Sequence, residues 1–497
     1  MRLVPDMGTF AIVYIPPNDT VSQTNSISGP RPKLPRVMGL WDVLLFNIAT
    51  VLGPRWIAAA ARNGPSSISL WLIAAVFFFV PTALVIVELS SRFPEEGGLY
   101  AWSRDAFGEF HGFVAGWTYW VYTFFYFPGL LIASASMAAY IGGIGSVGLA
   151  QSRTFLLAGS FLLLVVAVYL NIIGLHIGKW LQNAGGVGTY VPLLMLVVAA
   201  ALVWHRQGSA THFTFAGILP RWNWDEVNFW PQLAFAFTGL ELISTMSEEV
   251  RDPQKTLPRA VLGSGVLIAL IYTIGTVAVL VLLNDSAVDP KSGVFQAITA
   301  ASVVLKIGAF GVIAALLVTI GNAGGGVGTT IAGVARVPFV VGVDRYLPAA
   351  FGRVHPRWQT PYVAILVQAG ISGAVLLLSQ VNETTLGAYQ KLVDAAVILY
   401  FIPFLYMYAA AIKLAYRPDR EQTPGAVLIP GGKLGVWIAS GLGFLVVLLG
   451  IVLSLIPPGE TANKFNFEVE LVAATGSAIA LGLLLYYLGS RKKSRTA

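Results

Sequence analysis

The stretch Trp41-Asp-Val-Leu-Leu-Phe-Asn-Ile-Ala-Thr-Val-Leu-Gly-Pro-Arg-Trp-Ile-Ala-Ala-Ala-Ala-Arg62 decides the fold. It is long and apolar enough to span a membrane, which takes roughly 20 residues of helix. Its middle, however, is Gly53-Pro54-Arg55. Proline removes a backbone donor and collides with the preceding turn, and glycine weakens a helix further. Arginine at mid-bilayer is expensive, so an intramembrane charge marks function by default. A break and a charge at that depth are tolerated only against protein or a wet cavity. The stretch is therefore expected to be a broken helix that forms half of a substrate site, with Gly53 and Arg55 facing the cavity. The competing reading is a proline kink whose arginine pairs with a carboxylate.

The rest of the chain agrees with a polytopic membrane protein. Of 497 residues, 56% are hydrophobic and 11% charged, whereas soluble chains carry about 25% charge. Cysteine is absent, which excludes thiolate metal sites and a disulfide-linked subunit. No metal site and no cofactor are expected. Residues 1–37 read as a polar tail, placed in the cytoplasm. About twelve apolar segments follow, at roughly 39–61, 68–91, 112–142, 154–173, 180–204, 230–247, 259–283, 307–335, 361–380, 388–414, 434–456 and 467–489. Residues 206–229, with Trp222 and Trp224, suit an extracytoplasmic interface loop, and 490–497 form a basic tail. If both ends are cytoplasmic, one side holds 22 Lys and Arg and the other 8. That satisfies the positive-inside rule. The net charge of +7 is then topological, and no nucleic-acid partner is needed.

The sixth segment repeats the oddity of the first. Leu233-Ala-Phe-Ala-Phe-Thr-Gly-Leu-Glu-Leu-Ile carries Gly239 in its middle and Glu241 beside it. Two interrupted helices five segments apart point to an inverted-repeat transporter. Residues 38–205 would form one five-helix repeat, 230–415 the other, and 416–489 two extra helices. Half-helix N-termini attract anions and half-helix C-termini attract cations, so a zwitterion would lie with its carboxylate at the first break and its ammonium at the sixth. Glu241 is the candidate proton-coupling group. Glu88 belongs to the cytoplasmic end of span two. Asp394 either pairs with Lys391 or faces a cavity. Thr329 and Thr330 are sodium ligands only if the carrier is sodium-coupled. The run Gly321-Asn-Ala-Gly-Gly-Gly-Val-Gly lacks the Lys-Ser/Thr ending of a phosphate loop and reads as close helix contact or a hinge.

Four motifs resemble the amino acid–polyamine–organocation transporter superfamily. They are Phe93-Pro-Glu-Glu-Gly-Gly-Leu-Tyr, Phe237-Thr-Gly-Leu-Glu, Glu248-Glu-Val-Arg-Asp-Pro and the stretch from Gly333-Val-Ala-Arg-Val-Pro to Asp344-Arg-Tyr-Leu-Pro. The tail Ile429-Pro-Gly-Gly-Lys through Ser454-Leu-Ile-Pro-Pro is similar to bacterial glutamate/γ-aminobutyrate antiporters. The resemblance implies the leucine-transporter fold, all-α with five-plus-five inverted repeats and two further helices. It implies a permease or antiporter for amino acids or related amines in the cytoplasmic membrane, driven by a proton or sodium gradient or by exchange. By position it assigns substrate contact to Asn47, Thr50, Val51, Leu52, Phe235, Thr238 and Gly239. Phe235 falls where relatives place an aromatic gate. The chain departs from the family pattern in two places. Gly53-Pro54 follows the family's turn, and Thr189 stands where many members carry a lysine. A channel, a membrane enzyme and a nutrient sensor on the same fold are the rival classes. No ring of like charges marks a pore, and no cluster of His, Asp or Cys marks a catalytic centre.

Overall fold

The computed structural model describes residues 38–496 apart from 95–96, 174, 222, 339–345, 359, 382–383, 419, 421–422 and 458–462. The side chains of 175–184, 225, 245–249, 324–325, 329, 332 and 492–496 lie outside it as well. The expected tail 1–37, Trp222, the Thr329 side chain and the Asp344-Arg345 motif residues therefore fall outside the described residues.

Among the described residues, nine helices are long and apolar enough to cross a membrane, and a bent pair makes ten. The other two expected spans are interrupted. Span one is the bent pair, Leu40–Val51 and Pro54–Arg62, at 41° to each other. Asp42 starts it by accepting the Gly39 N–H at 2.9 Å, an N-terminal cap. Leu52 and Gly53 between the halves are extended, and Pro54 opens the second half, where its missing N–H costs nothing. Span six is Trp224–Ala236, then three non-helical residues, then 3-10 turns over Leu240–Glu249. Span eight is Ala309–Gly321 joined through a π-turn at Asn322–Gly326 to Val327–Val334.

The packing carries the expected repeat. Span three (Glu109–Gly142) lies against nine (Tyr362–Ser379) and ten (Thr385–Leu414). Span eight lies in the same way against four (Arg153–Ile173) and five (Leu175–Gln207). Five and eight touch backbone to backbone: a Cβ on Gly188 would collide with the Leu317 carbonyl oxygen and sit 2.7 Å from the Gly321 Cα. Small residues let membrane helices approach this closely, so the glycine-rich run serves both contact and a π-turn. Span seven (Pro253–Leu282) packs on both halves of span one and on span two. Spans eleven (Gly432–Ser454) and twelve (from Lys464) stand outside the repeat. Eleven packs on two, six and ten, and twelve on three and ten.

The loops meet in two groups. On one side Arg62 donates to the Ser286 carbonyl, and Gln151 donates to Asp289 at 2.7 Å. On the other, Met38 bridges Val250 and Arg417 reaches the Asp105 carbonyl at 2.8 Å. There too, buried Glu88 accepts both prongs of Arg420 at 2.8 and 2.9 Å, the Ile429 N–H at 2.9 Å and Arg92 at 3.3 Å. This cluster ties the end of span two to the linker between spans ten and eleven.

Candidate functional site

The two breaks face one another. Gly239 has φ +113°, a conformation that favours glycine. A Cβ there would lie 3.2 Å from Val51 Cγ2 and 3.3 Å from Thr50 Cγ2, so glycine also permits the close approach of the two interrupted helices. One side chain joins them. The Tyr272 hydroxyl, from span seven, lies 2.7 Å from the Val51 carbonyl and 3.0 Å from the Ala236 carbonyl, and accepts the Gly53 N–H at 3.3 Å. Its ring stacks on Trp71 at 4.5 Å and 9°, and Trp71 is fixed in turn by donating to Thr276 at 3.0 Å.

Beside this junction is a small cavity of about 20 Å³. Thr50 and Val51 line it from span one, and Phe235, Thr238, Gly239 and Glu241 from span six. Six of the residues read from sequence thus come together. The remaining four do not line it. Asn47 is buried and donates to Ser264 at 3.3 Å. Leu52 is buried, and Gly53 gives its amide to Tyr272. The expectation that Gly53 faces the cavity does not hold, because it is absent from the lining and its amide is turned to a tyrosine hydroxyl.

Arg55 lies one ring behind the wall. Its guanidinium packs over Trp56 at 4.3 Å and Tyr126 at 4.8 Å, and both rings line the cavity. The side chain is buried, and Nε and Nη1 find no hydrogen-bond partner. Among the described residues no ion pair joins Arg55 to Glu241, so the static-pair reading lacks its contact. Glu241 is held differently. Oε1 accepts the Tyr119 hydroxyl at 2.9 Å and the Tyr400 hydroxyl, and Oε2 accepts the Gly239 N–H at 3.0 Å. Lys391 likewise pairs with Glu470 at 2.5 Å rather than with Asp394.

The aromatic wall was missed in the sequence. Tyr119, Tyr122 and Tyr126 line the cavity from span three, with Tyr400 from span ten and Trp56 from span one. The spacing of the first three, at i, i+3 and i+7, was the available signal, since it places three hydroxyls on one helical face. Phe235 meets Trp56, Tyr126 and Tyr400 edge-on at 5.7, 5.8 and 5.2 Å. Thr330 also lines the cavity, and its hydroxyl donates to the Gly326 carbonyl at 2.8 Å.

The fold is that of MhsT, whose structure in complex with L-phenylalanine covers 83% of this chain and 98% of its own at TM-score 0.61 and 13% identity. An uncharacterised transporter of Legionella pneumophila is 28% identical over 88% of this chain and 94% of its own length. The serine/threonine exchanger SteT of Bacillus subtilis is 26% identical over 78% and 85%. Residues 38–476 match the amino acid permease family. A multi-pass helical protein with two interrupted helices around a buried polar cavity, matched over that length, belongs to the amino acid permease family and is a secondary transporter.

Proposed function

We propose that this chain carries an amino acid across the cytoplasmic membrane by alternating access, binding it between the two interrupted helices. The observation that carries the reading is a buried glutamate and a buried arginine beside one cavity. Glu241, fenced by two tyrosine hydroxyls and an amide, receives the ammonium. Arg55, with two unused donors, receives the carboxylate. A buried charge without a partner is strongly unfavourable, and a guanidinium presents a planar fork that matches a carboxylate. The tyrosine and tryptophan rings suit an ammonium through cation–π attraction. They would suit a polyamine as well, but Arg55 would then face a second positive charge, which favours the amino acid.

The free space of about 20 Å³ holds little more than one water. Substrate entry therefore requires rings to move, and Phe235, which touches three other cavity rings, is the proposed gate. The Lys and Arg bias supports cytoplasmic termini. The likeness to SteT, a serine/threonine exchanger, supports exchange of a small amino acid. Counterflow into proteoliposomes, using a panel of amino acids and their decarboxylated amines, tests the reading. Saturable exchange of at least one amino acid is expected; ohmic conductance, or uptake of amines alone, would refute it.

A further inference from the structure

Span ten buries a second carboxyl, which the binding scheme above does not use. Asp394 is 5% exposed, and among the described residues no hydrogen bond or ion pair reaches it. Its nearest candidate cation in sequence, Lys391, is taken by Glu470. Six residues further in, about 9 Å along the helix at 1.5 Å per residue, Tyr400 donates to Glu241. The two acids thus sit in opposite settings. Glu241 is met by three donors, which favour a carboxylate. Asp394 is met by none, and burial without a donor or cation favours the neutral acid over the carboxylate.

The elements packed on span ten bring few titratable groups to this part of it. Span three offers Tyr119, Tyr122 and Tyr126, span twelve Lys464, Glu468 and Glu470, and the start of span six Glu226. Spans nine and eleven bring none at this depth, and the acidic and basic groups of span two lie at its inner end. On its own helix Asp394 has Tyr389, Lys391 and Tyr400, the last two held by Glu470 and Glu241. Glu226 is occupied by the Ser66 hydroxyl and the Arg221 amide, at 2.6 and 2.7 Å.

We propose that Asp394 is the proton-carrying group of this transporter, and that Glu241 is a fixed anion for the substrate ammonium. Asp394 shares a helical stripe with Phe401, seven residues on, and Phe401 touches Phe235 at 6.3 Å. Displacing Phe235 to admit substrate loosens the packing along that stripe and lets water reach the carboxyl. The O–H bond of the acid then breaks, the proton passes to that water, and a carboxylate remains until a proton returns from the other side. No redox partner is involved. The transport part of this assignment rests on the amino acid carrier reading; the protonation part does not.

Infrared titration of the protein in lipid tests the protonation directly. A protonated-carboxyl stretch is expected at neutral pH, shifted by carboxyl-labelled aspartate but not by labelled glutamate, which needs no substitution. It should vanish in Asp394→Asn and persist in Asp394→Glu and Glu241→Gln. Absence of the band in the unsubstituted protein, or its loss in Glu241→Gln with retention in Asp394→Asn, overturns the assignment. Counterflow of radiolabelled L-serine across a pH series supplies the second readout. Asp394→Asn should flatten the profile, and an unchanged profile overturns the carrier role. If the unsubstituted protein does not move L-serine, the choice of that substrate has failed, while the infrared result still decides where the proton sits.

Discussion

At the scale of the residue, function rests on side chains placed where the bilayer makes polarity costly. Gly239 is the sharpest case. At its positive φ a side chain is strained, and a methyl group would crowd the opposite break at 3.2 and 3.3 Å. Gly239→Ala should cost about 1–3 kcal/mol from conformation alone. It should lower the thermal midpoint and slow counterflow; an unchanged protein would show that the two breaks are not closely fitted. The sequence displayed Gly239, Glu241 and Arg55 because each violates the apolar helix around it. It hid the tyrosines, because an aromatic residue in a span is equally at home in a core, in lipid or in a site. It also misdirected the reading of Gly53. Chain order shows that an amide is freed at Gly53-Pro54, but not that Tyr272, 219 residues away, consumes it.

At the scale of the element, the interrupted helices are held as one unit through Tyr272. Tyr272→Phe keeps the stacking on Trp71 and leaves two carbonyls and an amide without their shared partner. A buried polar group left unsatisfied costs about 1–3 kcal/mol, so this variant should be destabilised by that order while remaining folded. Thermal unfolding in detergent measures it, and equal stability would mean that water replaces the hydroxyl at no cost. The break in span one was legible because Gly-Pro is a local instruction. That in span six was legible only by comparison with the first, since a lone glycine also serves helix packing. Span eight, read as one long helix, contains a π-turn at Asn322–Gly326, where five residues including three glycines lower the cost of rewinding.

At the scale of the whole molecule, hydropathy marked the spans, because it reports directly on the bilayer, and the Lys and Arg bias sets the expected sidedness. The chain contains no cysteine, so Lys255→Cys and Ala287→Cys, exposed at opposite ends of span seven, can be labelled singly. In intact cells, an impermeant thiol reagent should reach Ala287→Cys and not Lys255→Cys; the reverse would invert the topology. What composition could not convey is which polar groups finish inside the same cavity, because spans one, three, six and ten converge there from across the chain. The claim that this cavity binds an amino acid by its two charged ends is tested most directly by comparing L-serine with ethanolamine, its decarboxylated form, in counterflow competition. A charge-assisted contact is worth about 1.5–3 kcal/mol, or roughly 10–150-fold in affinity. The unsubstituted transporter should prefer the amino acid by that ratio, and Arg55→Ala should bring the ratio close to one. Discrimination that survives in Arg55→Ala would contradict the assignment of the carboxylate to Arg55.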